Sequence, residues 1–179
     1  SGCLSPAAVF VLGTATDAAK IADSLANALR DLAPEWPRGA IDTHTAAAIH
    51  HEREDARLRS AAGQEVHVLA SGDTGWTVVS EADSQWRATP LHRFVRVYPV
   101  AGLEALSGAL GPLSAYLSSV ALAGFGAQRD TVTHKIIELG ASRVCMPGDL
   151  QAPPLGWHHD GRPLLLPLAR LRDDENLDG

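Results

Sequence analysis

The sequence predicts an α/β fold, an open and mostly parallel sheet flanked by helices, and three observations lead there. The apolar run Ala7-Ala8-Val9-Phe10-Val11-Leu12-Gly13 reads as a buried strand, and a segment of helical periodicity follows it at once. Over 116–148 the pattern is strand, helix, strand with short links, a βαβ unit that requires parallel pairing. Hydrophobic residues make up 45% of the 179 and charged residues 20%, the balance of a chain that builds a core. One domain over 1–179 is expected at this length, its last part, 150–179, forming a C-terminal loop and tail helix.

The elements follow in order. Thr16-Asp17 offers a helix start, and Ile21, Leu25, Leu29 and Leu32 make one stripe of an amphipathic helix that Pro34 and Pro37 end. Asp42-Thr43 caps a second helix over 45–62, rich in Ala, Glu and Arg. Residues 65–70 alternate and 75–80 form a second run, so two strands flank the polar turn Ser71-Gly72-Asp73-Thr74-Gly75. Another strand covers 93–100, and Pro99 suggests that it ends there or lies at a sheet edge. A short helix over 102–110 sets Leu103, Leu106 and Leu110 in register. A small-residue strand over 116–123 is closed by Gly124-Phe125-Gly126. From Gln128 a helix turns Val132, Ile136 and Leu139 inward and stops at Gly140, before a last strand over 142–148.

Composition narrows the function classes. A net charge of −6 without any basic cluster argues against nucleic acid as a partner. No run approaches the 18 or so consecutive apolar residues of a membrane span. Two cysteines, Cys3 and Cys145, are too few for a disulfide framework, so reduced thiols and a cytoplasmic location are expected. A chain that starts Ser-Gly-Cys rather than Met, with its first strong feature at position 3, is expected to be a piece of something longer.

Three groups of residues invite a chemical reading. Cys3 sits between the permissive Gly2 and the Ser5-Pro6 turn, directly before a strand, where a stiff loop would present a thiol at the end of a sheet. A plain packing cysteine fits the same local sequence, since buried structural thiols outnumber reactive ones. His44, His50 and His51, beside Glu52, Glu54 and Asp55, lack the i, i+4 spacing of a helical zinc site, so a solvated helix face and no metal are expected. The loop Pro153-Pro154-Leu155-Gly156-Trp157-His158-His159-Asp160-Gly161-Arg162-Pro163 concentrates an aromatic ring, two imidazoles and a carboxylate on a rigid surface segment. Trp157, His158, His159 and Asp160 there fit a binding surface and a simple Asp-Gly turn about equally well. Gly124-Phe125-Gly126 lacks the third glycine of a dinucleotide fingerprint and reads as a strand-to-helix turn.

Cys3-Leu4-Ser5-Pro6 followed by a strand resembles the nucleophile segment of the long-chain fatty acyl-CoA reductases, the acyl thioester reductases of bacterial bioluminescence operons. These belong to the aldehyde dehydrogenase superfamily. Leu139-Gly140-Ala141-Ser142-Arg143-Val144, the Gly156 to Pro163 loop, and the tail over 164–175 with Leu168-Ala169-Arg170-Leu171 are similar to that family's C-terminal signature and closing helix. The resemblance spans essentially the whole chain and is weakest over 41–85. It implies the fold of an aldehyde dehydrogenase catalytic domain, with Cys3 as the nucleophile that takes the acyl group from a fatty acyl-CoA. It further implies NADPH as the hydride source, held mainly by an N-terminal nicotinamide-binding domain that is not in this chain, and a homo-oligomer in the complete enzyme. The chain alone is then expected neither to bind the cofactor well nor to turn over. Ordinary aldehyde dehydrogenases carry Glu-x-Phe-Gly-Pro against the cofactor ribose, whereas the equivalent stretch here, Val95-Arg96-Val97-Tyr98-Pro99, has no glutamate at its start. A non-catalytic α/β binding or scaffold module, and a thiol acyltransferase that needs no nicotinamide, are the competing readings.

Overall fold

The computed structural model describes residues 5–163 and 166–170. It contains two compact units, Ser1–Leu113 and Ser114–Gly179. The first holds β1 (Ala8–Leu12), α1 (Ala15–Leu32), α2 (Thr43–Ala61), β2 (His67–Ala70), β3 (Thr77–Ser80), β4 (Phe94–Val100) and α3 (Leu103–Leu110). Its four strands lie in the order β1-β4-β3-β2. Both β1 and β3 run parallel to β4, and β2 pairs antiparallel with β3 across a short turn. The mostly parallel sheet flanked by helices is therefore present as the sequence predicts.

A capping box starts α1. Thr14 Oγ1 accepts from the Asp17 N–H at 3.2 Å, and the Asp17 carboxylate accepts from the Thr14 N–H at 3.0 Å. The expected start at Thr16-Asp17 is thus late, because Asp17 is the third residue of the helix rather than its cap. The inward stripe also differs from the expected one. Ala18, Ala22 and Ala26 are buried, whereas Ile21 and Leu32 are 40% and 50% exposed. Methyl side chains let the helix axis approach the sheet closely. Leu25 and Leu29 then fill the flanks against Val9, Val11, Trp76, Val78 and Val97.

On the opposite face α2, capped by Asp42, lays Ile49 and Ala56 against Val66, Val79 and Phe94. His44, His50 and His51 are exposed, as expected, and no group of potential metal ligands occurs among the described residues. The same helix nevertheless turns charge inward. Arg53 is 3% exposed and donates to Thr77 Oγ1, Asp73 O and Trp76 O at 2.8, 2.7 and 2.9 Å, which clamps the turn between β2 and β3. Burial pulls its pKa below the ordinary arginine value.

The densest polar cluster surrounds Glu81, the fully buried residue that leaves β3. Its carboxylate accepts from Arg59 at 2.7 and 3.3 Å, lies 3.4 Å from Arg87, and pairs with Arg96 on β4. Arg96 is itself fully buried, pairs also with Glu52 of α2, and donates through Nε to Ala88 O at 3.2 Å. Arg87 is held in turn by Asp83, at 2.8 and 3.0 Å. The Tyr98 hydroxyl accepts from the Arg87 N–H at 3.0 Å and donates to Arg87 O at 3.1 Å, while its ring stacks on Phe10 with centroids 5.0 Å apart. These contacts strap the irregular crossover 81–93 along one face of the sheet. Parallel strands usually need a helix for such a return, and here ion pairs and a phenol serve.

Pro99 lies inside β4, opposite Val11, in a strand with neighbours on both sides, so the expectation of an edge or a strand end fails. Arg96 N–H bonds Ala7 O towards β1, whereas Glu81 N–H bonds Val97 O on the β3 side. By alternation Pro99 turns its missing donor towards β3, which has already ended at Ser80. No ladder bond is lost.

Just before β4 the backbone is unusual. Leu91, His92 and Arg93 all carry positive φ, at 63°, 55° and 64°. Such left-handed residues cost on the order of 1–3 kcal/mol each unless the surroundings dictate them. Bonds from Phe94 N–H to Leu91 O at 3.0 Å and from Thr77 N–H to Arg93 O at 2.9 Å hold the turn in place.

The second unit contains β5 (Ser119–Ala121), a 3-10 turn over Gly126–Gln128, α4 (Arg129–Glu138) and β6 (Arg143–Cys145). β5 and β6 pair in parallel, so the expected βαβ unit is present, and Gly124-Phe125-Gly126 forms its strand-to-helix turn. Both strands are shorter than expected. Tyr116 belongs to a 3-10 turn over Gly111–Tyr116 and is 85% exposed rather than in a sheet. Leu122, Val132, Ile136 and Ala141 form the core. Gly140 stops α4 as expected, with φ 115°, and a Cβ there would stand 2.6 Å from Ser114 O. Of the expected closing helix, the described residues contain a 3-10 turn at Leu166–Leu168 with Ala169 and Arg170 extending from it, and Leu171 lies outside them. Among the described residues no helix is long and apolar enough to cross a membrane.

Two measurements check this account. Glu81→Ala strands three arginines beside an empty position, and removing one partner of a buried charged set costs about 3–5 kcal/mol. Urea denaturation should show that loss, and a change below about 1 kcal/mol contradicts the network's role. Burial also raises the Tyr98 phenol from 10.0 to about 12. The unfolded chain ionises this group first, so the stability it contributes is intact below pH 10 and lost as pH climbs towards about 12. With two tyrosines in the chain, half of the tyrosinate absorbance of the folded protein should be withheld until that range. Complete ionisation near pH 10 refutes it.

Candidate functional site

Cys3 lies outside the described residues, but the frame behind it is defined. Ser5, Pro6 and Ala7 lead into β1, and Ala7 O accepts the Arg96 N–H at 3.2 Å. The register pairs Ala8 with Arg96 and Thr77 with Phe94, so β1, β3 and β4 begin at one end of the sheet. Two loops gather at that end. One is the β2–β3 turn, clamped by Arg53, and the other is the left-handed turn Leu91-His92-Arg93. Sequence periodicity marked neither Arg53 nor His92, because a buried arginine and a strained histidine leave no apolar pattern. The one available signal was the glycine-poor connection ahead of β4.

In the second unit the loop carrying Trp157, His158, His159 and Asp160 is folded back on the βαβ unit. Arg143 of β6 is buried, donates to Leu150 O and Asp149 O at 3.0 and 2.6 Å, and stands 5.5 Å from the Trp157 ring. Trp157 meets the His159 ring at 4.9 Å, and His159 Nδ1 is 3.1 Å from Asp160 Oδ2. Asp160 Oδ1 accepts from Ser118 Oγ at 2.8 Å, which ties the loop to the base of β5. Three of the four residues therefore form one contact chain. His158 stands apart from it and lines an open cleft of about 490 Å³ together with Arg143, Cys145, Asp149 and Trp157. The Trp157 indole N–H reaches no partner although that atom is buried. Asp160 also has φ 51°, so a turn and a side-chain cluster coexist in the one segment.

Cys145, the second thiol, is a free and half-buried residue at the end of β6. Arg129 donates to Cys145 O at 3.4 Å and to Leu122 O at 3.0 Å, which satisfies the ends of both strands of this unit.

The first unit is a mostly parallel α/β sheet, and the second is a βαβ pair with a clustered loop folded on it. The sequence pattern of the family described as Acyl-CoA reductase (LuxC) matches residues 1–171, and the chain belongs to that family. Among curated proteins, none matches it. The family membership makes the chain part of an acyl-CoA-reducing enzyme class, with a fatty acyl thioester as the class of substrate.

The contact chain yields a test of the loop. Asp160→Asn keeps both the left-handed conformation and an oxygen for Ser118, and should leave stability nearly unchanged. Asp160→Ala removes both and should cost about 1–3 kcal/mol. Hydrogen exchange at the Ser118 to Ala121 amides reads the difference, and equal protection in the two variants contradicts the tie.

Proposed function

We propose that this chain supplies the acyl-transfer chemistry of an NADPH-dependent reductase that converts fatty acyl-CoA to aldehyde, with Cys3 as nucleophile. The observation that carries this reading is the family match, which begins at residue 1 and so includes Cys3. In the transfer step the Cys3 sulfur bonds to the thioester carbonyl carbon, the bond from that carbon to the CoA sulfur breaks, and CoA leaves as the thiol. One thioester replaces another, so the step is near balance and the protein's task is orientation and charge stabilisation. The attacking form is the thiolate, whereas a free thiol with pKa near 8.5 is mostly protonated at neutral pH.

The described residues do not fit the nicotinamide. Gly124-Phe125-Gly126 lacks the third fingerprint glycine, and the counterpart of the ribose-contacting motif is buried in β4 with Arg96 committed to Glu81 and Glu52. In this reading NADPH is held mainly by an N-terminal domain outside these residues, the chain is one catalytic α/β domain of aldehyde dehydrogenase type, and the complete enzyme is a cytoplasmic homo-oligomer. Trp157, His158, His159 and Asp160 serve as a substrate-facing or inter-subunit surface. The cleft beside Trp157 and His158 supports that assignment.

Labelling the full-length enzyme with radioactive acyl-CoA tests the nucleophile. Cys3→Ala should abolish covalent labelling and Cys145→Ala should retain it. Undiminished labelling of Cys3→Ala refutes the reading. Acyl transfer to a second thiol without NADPH consumption would identify an acyltransferase, and alkylation of Cys3 no faster than Cys145 a non-catalytic module.

A further inference from the structure

The two-stranded sheet of the second unit leaves one edge of β6 with no strand beside it among the described residues. Arg143 N–H donates to Ser118 O at 3.1 Å and Leu122 N–H to Cys145 O at 3.0 Å, so residues 143 and 145 turn their backbone groups to β5. By alternation Val144, between them, turns its N–H and C=O to the open edge. The cleft of about 490 Å³ lies along that edge. Side chains alternate across a strand, so a hollow touched by Ser142, Arg143, Val144 and Cys145 together runs beside the strand rather than over one face. Its far wall is the loop, with Pro154 and Trp157. That wall is held in place, because Arg143 donates to Leu150 O and Asp149 O and stands 5.5 Å from the Trp157 ring. A backbone donor and acceptor on one side and apolar rings on the other suit a narrow chain in which amides alternate with hydrocarbon. Only three residues make up β6, and its one outward residue is enough for the amides of a small molecule but too little for a peptide strand. The volume is also that of a small-molecule site, which spans roughly 300 to 1,000 Å³.

We propose that this cleft binds the pantetheine arm of the acyl-CoA substrate, paired through its amides to the Val144 backbone at the open edge of β6. This rests on the reading of the chain as part of a fatty acyl-CoA reductase, and it names the part of the thioester that the second unit recognises. Pantetheine is an extended chain of methylenes interrupted by two amides. The carbonyl oxygen of one amide accepts from Val144 N–H, the N–H of the other donates to Val144 O, and the hydrocarbon between and beside them lies against Trp157 and Pro154. Specificity for a CoA thioester over a plain thioester then comes from backbone groups, with apolar contact along the loop adding area.

The test uses the full-length enzyme with two thioesters of one fatty acid, the acyl-CoA and the S-ethyl thioester, which has no amide. Val144→Pro removes the outward N–H, and proline is accepted where the N–H of a strand points away from its neighbour. KM for acyl-CoA should rise about tenfold with kcat unchanged, while the S-ethyl thioester is used as before. Ala152→Trp fills the cleft from an exposed position of the loop and should do the same, which keeps the test open if Val144→Pro does not fold. An acyl-CoA KM within about twofold of wild type in either folded variant overturns the proposal, and so does an equal loss on both thioesters. A change of oligomeric state with unaltered acyl-CoA kinetics also overturns it, and assigns the edge to a peptide strand. A wild-type enzyme that reduces neither thioester removes the proposed function and this proposal with it. Wild-type turnover of both, with unaltered KM in the two variants, removes only the role of the cleft.

Discussion

The first unit depends on the burial of Glu81. This carboxylate is fully enclosed and meets three guanidiniums, each from a different segment: Arg59 from α2, Arg87 from the crossover and Arg96 from β4. An isolated charge would not survive there, because desolvation costs several kcal/mol per ion. The cluster persists because the charges arrive together and because Glu52 and Asp83 balance the surplus of arginine. One residue thus fastens a helix, a strand and a loop to the same face of the sheet. The opposite face, by contrast, is held by the alanine stripe of α1 against valines, where closeness of approach matters and charge plays no part.

That contrast explains what the amino-acid sequence made legible. Elements defined by local chemistry were readable: β1 by its apolar run, α2 by its Asp42 cap, the βαβ pattern around α4, and the stop at Gly140. Features fixed by distant partners were not. The buried face of α1 is set by how near the sheet lies, so small residues are inside and Ile21 is at the rim. Pro99 looked like an edge residue because sequence does not show that β3 stops two pairs earlier. Glu52 looked like part of a solvated helix face, since hydropathy cannot distinguish a paired charge from a hydrated one, yet it pairs with the buried Arg96.

The candidate site divides along the same line. Cys3 and the Trp157 to Asp160 loop drew attention as residue types in unusual surroundings, and the loop does assemble Trp157, His159 and Asp160 into one contact chain. His92 drew none. Its distinction is a backbone conformation imposed by hydrogen bonds from β3 and from Phe94, and a single sequence carries no trace of such a constraint.

A buried ion cluster is an expensive way to gain stability, since apolar side chains of similar volume often serve as well or better. Its use here follows from what it must hold. Apolar residues at 52, 59, 81 and 96 would still press α2 onto the sheet, because hydrophobic contact is not directional. They would not decide which residue of the crossover lies opposite Tyr98, or where the crossover ends. Arg96 Nε on Ala88 O, and the Tyr98 hydroxyl on both backbone groups of Arg87, do decide it, because hydrogen bonds have a register. A slip of one residue along this strap would carry the left-handed turn out of line with Thr77 and Phe94. The cluster therefore acts on position more than on stability, and the position it sets is that of the turn Leu91-His92-Arg93 ahead of β4.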